Sequence, residues 1–451
     1  MKYAPELIQH SQALLEKRLA SYPDVTEIGW VFIDANDVYP GPGQWRRFRI
    51  ASMTKSFTAA TALTVLQDHH NMSIETPLHE VLPELSPVLR DATIEHALTM
   101  TTGLPTDDAW ADRLEAMSRE AFVDLISQPL IVNQAPGVNY EYSNLGYAIL
   151  GAVIEQVAGK PFEELLHDAV LDPLALDGST LNASSASVQG MHQNVDGTLR
   201  PVEPTGPGAF SPIGGIWSTT TDIGCWMMHL RGARYRCLRG DVLASHDAIL
   251  QAIQNPRVFY EASADAESVS YEGYGYGLHY RWNTELGEFL YHSGGYPGFG
   301  SHMRWHTQTG LGIAIMGNRT YFPGEMIAQP VLEELVRAVS YQPMQHREKA
   351  APVATLPGLD ASAETTLRSF FQLMESWEDN TAQQLFSSNV FQDYTRDEIR
   401  QKVEDLYHQQ VSVDRWLSRT EVILQSRNSN RRIQILFNPL GEIQKLTWLA
   451  S

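Results

Sequence analysis

The chain has 451 residues, of which 43% are hydrophobic and 19% charged, and its formal net charge is -20. That length exceeds one ordinary core and predicts a large domain plus a smaller one. The acidic excess argues against nucleic acid and anionic membrane surfaces as partners.

The opening residues 1–7 lead into a polar, amphipathic stretch over 9–19 rather than an apolar secretory signal. No apolar run approaches the roughly 20 residues needed to cross a bilayer. With Met1 as the native start, a soluble cytoplasmic protein is expected. Two cysteines, Cys225 and Cys237, are too few for a disulfide scaffold. Buried free thiols are expected of them, and pairing across a short loop is left open.

In chain order, the spacing predicts an amphipathic helix over 9–21 and a strand over 27–34. A Pro/Gly turn at 40–43 precedes a helix over 52–67, whose small residues nearly all round suggest burial among neighbours. A short helix over 93–100 has Thr93 as its cap and stops at Gly103 and Pro105. A strongly apolar helix follows over 144–158, ended by Gly159, with Pro161 opening the next. Glycine-punctuated strands are read at 275–282, 289–293, 300–306 and 311–316. The stretch 341–363 loses periodicity and carries three prolines, so it reads as a linker. Beyond it come helices over 364–379 and 395–408, then strands over 411–416, 421–425, 432–437 and 443–449.

The fold expected is therefore α+β: an antiparallel sheet flanked by helices with an inserted helical lobe, plus a small C-terminal α+β module. Its boundaries are a domain over 1–345, a linker over 346–362 and an accessory domain over 363–451. The last is helix-then-meander and suggests, on shape alone, a cone of the nuclear-transport-factor or cystatin type.

Chemistry concentrates in three places. Ser52-Met53-Thr54-Lys55 sets a hydroxyl and an amine three residues apart at a helix start, on one face. A serine needs a neighbouring base to become nucleophilic, and a lysine can serve once its own pKa is lowered. Tyr140-Glu141-Tyr142-Ser143-Asn144 precedes the apolar helix, and Tyr291-His292-Ser293-Gly294-Gly295 ends a strand.

Together these resemble the serine β-lactamase and penicillin-binding-protein superfamily, particularly its class C, D-peptidase and carboxylesterase branch. Its S-x-x-K, Y-x-N and K-T-G or H-x-G motifs read here as Ser52–Lys55, Tyr142–Asn144 and His292–Gly294. Supporting stretches are 99–105 (TMTTGLP), 214–222 (GGIWSTTTD) and 273–278 (GYGYGL). The likeness covers roughly 10–340 and leaves 351–451 outside.

What the resemblance implies is a serine hydrolase of small esters, amides or D-residue peptides, working through an acyl-enzyme on Ser52. Lys55 and Tyr142 would share the proton traffic, with the general base left open between them. Asn144 would bond Lys55 and the substrate amide. The backbone N–H groups of Ser52 and Gly295 would form the oxyanion hole, with Gly294 and Gly295 letting substrate come close. Ser293 would contact a carboxylate.

His292 stands where β-lactamases and transpeptidases commonly carry lysine, and a histidine is only partly charged near neutral pH. This form is common among the family's esterases and D-amino-acid peptidases. The alternative is a penicillin-binding or scaffold protein that acylates without turnover.

Tyr274, Tyr276, Tyr296, Phe299 and Trp305 read as core aromatics before pocket lining. Gly273, Gly275 and Gly277 read as alternating along a strand. No histidine, cysteine or carboxylate spacing suits a metal, and no phosphate loop, dinucleotide fingerprint or G-x-S-x-G elbow occurs, so neither metal nor cofactor is expected. Self-association into a homo-oligomer is left open.

Overall fold

Apolar strands read near both ends of the first 340 residues meet in one sheet. The structure, a computed structural model, describes residues 5–339 and 361–449 except positions 70, 185, 186, 195, 239, 265–268 and 430. The chain divides into two units, Met1–Thr76 with Glu115–Ser118 and Tyr147–Pro352, and Pro77–Leu114 with Arg119–Gly146 and Val353–Ser451.

The first unit holds an eight-stranded sheet. Its strands are β1 (Ile28–Ile33), β2 (Val38–Pro40), β3 (Val258–Ala264), β4 (Val269–Tyr274), β5 (His279–Asn283), β6 (Gly287–Tyr296), β7 (Phe299–His306) and β8 (Gly312–Gly317). They run in the order β2-β1-β8-β7-β6-β5-β4-β3, every neighbour antiparallel. β1 (IGWVFI) and β8 (GIAIMG) have no polar face, because helices cover both sides of them.

Helix α1 (Pro5–Leu19) supplies Leu15 to one side, where it clusters with Trp30, Phe32, Ile313, Ile315 and residues of a late helix that include Ile327 and Leu332. In chain order the other helices that matter are α2 (Thr54–Asp68), α3 (Asn144–Ala158), α4 (Ser211–Gly214), α5 (Thr220–Leu238) and that late helix, α6 (Gly324–Ala338). α5 lies on the face opposite α6. A Cβ at Gly224 would fall 2.4 Å from Val38 Cγ1 and 2.9 Å from Val31 Cγ2, so a side chain there would push the helix off the sheet.

Three expectations are corrected here. The strand read at 275–282 begins only at His279; residues 275–278 form a turn in which Gly275 N–H donates to Leu278 O at 2.8 Å. Gly277 has φ +78°, and a Cβ there would sit 2.5 Å from Lys55 O, so these glycines serve a turn and a close approach rather than a strand. Residues 262–264 and 269–271 pair as the two arms of the β3–β4 hairpin. Cys225 and Cys237 both lie on α5, twelve residues or about 18 Å of helix apart, too far to bridge. They are free, Cys225 half-buried and Cys237 exposed, so burial was the wrong expectation for both.

The second unit combines short helices of the inserted segment with the C-terminal residues. Ile94–Leu98 is capped by Thr93, whose hydroxyl accepts from His96 N–H while the His96 ring accepts from Thr93 N–H. Helix α7 (Arg396–His408) opens with a Thr395/Glu398 capping box. It leads into a four-stranded antiparallel meander of β9 (Val411–Ser418), β10 (Glu421–Ser426), β11 (Arg432–Phe437) and β12 (Ile443–Leu449). Phe370, Val403, Leu424, Ile435 and Phe437 fill its core. The C-terminal residues are tied to the inserted segment by Ile131 N–H to Pro439 O at 2.9 Å and Gln444 Nε2 to Thr106 O at 2.8 Å. Most of the linker expected at 346–362 lies outside the described residues; a helix starts at Ala361. Among the described residues no helix is long and apolar enough to cross a membrane.

Two features of the first unit set its stability. Arg49 and Glu115, each 1% exposed, form an ion pair. Tyr296 O–H donates to the same carboxylate at 2.6 Å, and the Arg49 guanidinium also lies 4.6 Å over the Tyr296 ring. Glu115→Leu leaves a buried guanidinium without its counter-ion and is expected to cost about 3–5 kcal/mol in chemical denaturation. Arg49→Met should then cost less in the Glu115→Leu background than alone; equal costs would show that the pair is not coupled.

The second feature is a set of buried histidines. Burial lowers His279 to about 3 and His306 to about 4, and holds His292 and His302 well below the usual value. Below pH ~6.5 the unfolded chain binds protons that the folded state refuses. The contribution of these histidines is thus complete above pH ~6.5 and is expected to fall steadily as pH drops toward 3. Denaturant midpoints measured from pH 7.5 to 4 check this, and a flat profile would contradict it.

Candidate active site

The chain reaches Ser52 through a short strand, Phe48–Arg49, paired with Trp217–Ser218. Ile50 N–H donates to Ile216 O at 3.0 Å, and the Ser301 hydroxyl donates to Ile50 O at 2.6 Å. Ala51 is then turned into the left-handed region, φ +49°, a conformation that costs a non-glycine residue about 1–3 kcal/mol. A single 3₁₀ turn, Ala51–Met53, follows and runs directly into α2.

This corner leaves Ser52 half-buried while Lys55, one turn on, is fully buried. Lys55 Nζ donates to Ser52 Oγ at 2.9 Å and to Ile213 O at 2.8 Å, and lies 5.9 Å from the centre of the Tyr147 ring. α4 seats the ammonium. As a one-turn helix it has free carbonyls, and three in a row are taken from outside: Pro212 O by Thr58 Oγ1 (2.7 Å), Ile213 O by Lys55, and Gly214 O by Arg49 Nε (3.1 Å). The Tyr147 phenol, raised well above its ordinary pKa by burial, bonds Tyr274 and the Gly277 backbone.

The third motif lies on β6. A Cβ at Gly294 would fall 2.4 Å from Ile50 O and 3.0 Å from Ala51 Cβ, so only glycine lets β6 approach the nucleophile's turn. Gly295 likewise faces the Tyr321 ring. Ser293 points the other way. The register Trp30↔Ile315↔His302↔Ser293 puts these four side chains on the α6 face. There Ser293 Oγ meets His302 Nδ1 at 2.8 Å and donates to Glu325 Oε2 at 3.1 Å. A hydroxyl already given to a carboxylate, on the side away from the turn of Ser52, does not suit the carboxylate contact expected of it.

His292 is 1% exposed, with Nδ1 2.6 Å from Ser293 O and Nε2 3.3 Å from the Tyr274 hydroxyl. Burial first, then the charges of its neighbours including Lys55, keep it neutral. The partial charge expected near neutral pH is thus corrected: a fully buried imidazole beside an ammonium does not take a proton. The aromatics Tyr274, Tyr276, Tyr296, Phe299 and Trp305 are all buried.

The second motif belongs to the other unit. Asn144 opens α3, and Asp107 caps it by accepting from Asn144 N–H (2.7 Å) and Leu145 N–H (2.9 Å). Asn144 Nδ2 donates to Asp108 Oδ1 at 2.9 Å, while its fully buried Oδ1 accepts from no described group. Tyr142, two residues ahead, is half-buried.

Sequence reasoning missed Arg49, Glu115, Asp107, Tyr147 and the α4 carbonyls. An Asp pair shortly after T-T-G-L-P and a tyrosine one turn beyond Asn144 were the only signals for any of them. Among the described residues no group of three or more His, Cys, Asp or Glu could hold a metal ion.

Residues 45–338 match the family model described as Beta-lactamase. The chain is 33% identical over 148 residues to Esterase EstB of Burkholderia gladioli, covering 29% of this chain and 37% of that protein. It spans about a third of the length of the first curated relatives it matches. In fold it is similar to the octameric penicillin-binding protein homologue from Pyrococcus abyssi, with a TM-score of 0.61 at 19% identity over 95% of this chain and 90% of that one. A class C β-lactamase mutant superposes with a TM-score of 0.59 at 15% identity, over 75% of this chain and 100% of that one. With the matched stretch filling well over half of the sequence, the chain belongs to the Beta-lactamase family.

Proposed function

We propose that the protein is a serine hydrolase that cleaves small esters or amides, including D-residue peptides, through an acyl-enzyme on Ser52. The observation that carries this reading is the 2.9 Å contact between a fully buried Lys55 ammonium and the Ser52 hydroxyl. Burying a charge costs several kcal/mol, and a lysine serving only as a surface cation would not be spent there.

In the proposed reaction Lys55 as the free amine, or Tyr142 as the phenolate, takes the proton of Ser52 Oγ as that oxygen attacks the substrate carbonyl carbon. The oxyanion is met by the backbone N–H groups of Ser52 and Gly295. Collapse of the tetrahedral adduct expels the leaving group, which takes a proton from the same pair. Water then attacks the ester on Ser52, returning the acid product and the free hydroxyl. Asn144 Oδ1, a buried acceptor with no partner among the described residues, supports a role in holding a substrate N–H. The neutral His292 offers no fixed cation, which favours esters and uncharged amides over the carboxylate-bearing β-lactams. The esterase among the relatives agrees with this.

Ser52→Ala is expected to abolish covalent labelling by a fluorophosphonate with an unchanged circular dichroism spectrum; labelling that survives would move the nucleophile elsewhere. Lys55→Ala should slow acylation by a p-nitrophenyl ester about 10²–10⁴-fold, the usual worth of a positioned proton carrier. In the intact protein a burst of p-nitrophenol followed by steady release is expected. A stoichiometric burst that then stops would instead mark a protein that acylates without turning over.

A further inference from the structure

Glu141 stands between Tyr140 and Tyr142, and its surroundings reach into the C-terminal module. Its backbone N–H donates to Met100 O at 2.8 Å, and Ser143 N–H donates to Met100 Sδ at 3.4 Å, so the segment carrying Tyr142 is pinned on both sides. The Glu141 side chain is a strap. Oε1 accepts from Thr106 N–H at 3.1 Å and from Asn133 Nδ2 at 2.7 Å; Oε2 accepts from the same Asn133 amide at 2.9 Å.

Asn133 is itself held by the turn between β9 and β10. Its Nδ2 donates to Thr420 Oγ1 at 3.1 Å and its Oδ1 accepts from that hydroxyl at 3.3 Å, with Asn133 7% and Thr420 3% exposed. Thr420 therefore holds the Asn133 amide in place, and the carboxylate, which can only accept, takes its NH2 end. Were the amide to turn over, a carbonyl oxygen would confront Glu141. Arg419 Nη1 to Val132 O at 3.3 Å and Gln444 Nε2 to Thr106 O at 2.8 Å brace the two segments that flank the strap.

We infer that the C-terminal module completes the catalytic apparatus: Thr420, acting through Asn133 and Glu141, positions the segment that carries Tyr142. This rests on the hydrolase reading above, in which Tyr142 moves a proton.

The charge of the strap is itself adjustable. Burial, with a smaller push from Glu421, raises Glu141 to about 7 against the pull of the Asn133 and Thr106 hydrogen bonds. The other charged or titratable groups on the surrounding segments are Arg419, Asp107 and Asp108, Glu95 and His96, and the two flanking tyrosines. Loss of the Thr420 hydroxyl frees the Asn133 amide, weakens its bonds to the carboxylate, and so moves the titration to higher pH.

The test compares full-length wild type with Glu141→Gln, Thr420→Val and Thr420→Ser. For each, kcat/KM toward a p-nitrophenyl ester is measured from pH 5.5 to 9, with fluorophosphonate labelling of Ser52 and melting temperature alongside. Wild type is expected to show an inflection near pH 7 that Glu141→Gln removes. Thr420→Val should shift it upward and lower kcat about tenfold with little change in KM, and Thr420→Ser should restore both. A purely structural role predicts lower melting temperatures with superimposable pH profiles, and that result would overturn the inference. Should Thr420→Val not fold, the Glu141→Gln profile decides alone. Wild type that is never labelled at Ser52 refutes the hydrolase reading instead; labelling with unmoved profiles refutes only the positioning role.

Discussion

A buried ammonium is the constraint around which the first unit is organised. Lys55 is fully buried, and its desolvation is tolerable only with ligands at hydrogen-bonding distance. The structure provides the Ser52 hydroxyl, the Ile213 carbonyl and the face of Tyr147. Each ligand imposes a further demand. Ile213 O is available only because α4 is a single turn with unused carbonyls, and α4 stays in place because Thr58 and Arg49 take the carbonyls on either side. Arg49 in turn needs Glu115 as its counter-ion, which commits a four-residue excursion, Glu115–Ser118, to the first unit although the residues on both sides of it belong to the second. Gly277 and Gly151 then admit close neighbours: a Cβ would lie 2.5 Å from Lys55 O at the first and 2.3 Å from Pro212 Cγ at the second.

Much of this was legible in the sequence where a single period or cap decides the outcome. Asn144–Ala158 is apolar and ends at a glycine with φ +67°, and its bounds were read without error. Arg432–Phe437 and Ile443–Leu449 were also read residue for residue, the first alternating buried and half-buried positions along its length. Where two surfaces compete, legibility fails. α5 carries Gly224 and Gly232, poor helix formers, and presses on the sheet with one side while Trp226 stacks on Phe57 of α2 at 4.3 Å, so no single apolar stripe marks it. Gly273 lies in β4, whereas Gly275 and Gly277 continue its alternation in sequence only, and a backbone in place is needed to reveal that Gly277 must take positive φ beneath Lys55. Glu115 has no local signal whatever, since its partner is 66 positions away in sequence.

The third motif shows the same limit in a sharper form. Its three residues are contiguous, yet on a strand they face alternately, and the sequence does not say which face meets the nucleophile. The structure gives Gly294 to the Ser52 side and Ser293 to the α6 side, and it buries His292 as a neutral imidazole. What the motif contributes here is absence of bulk rather than presence of charge: Gly294 brings β6 against Ile50 and Ala51 and so helps hold the left-handed corner ahead of Ser52.

The buried histidines and the buried Glu141 answer pH in opposite senses, and the sign follows from which ionised form burial rejects. The histidines refuse a proton, so acidification below pH ~6.5 favours the unfolded chain. Glu141 retains its proton up to about 7 while an unfolded glutamate releases it near pH ~4.3, so stability from this group is greatest in acid and is lost as pH rises between those values. Near neutrality the histidine contribution is already complete while the Glu141 carboxyl is still titrating. A change of pH around 7 therefore falls on the Glu141 carboxyl that straps the Tyr142 segment. Because Thr420 and Asn133 govern the hydrogen bonds to that carboxyl, the module farthest along the sequence from the nucleophile sets the pH at which that change falls.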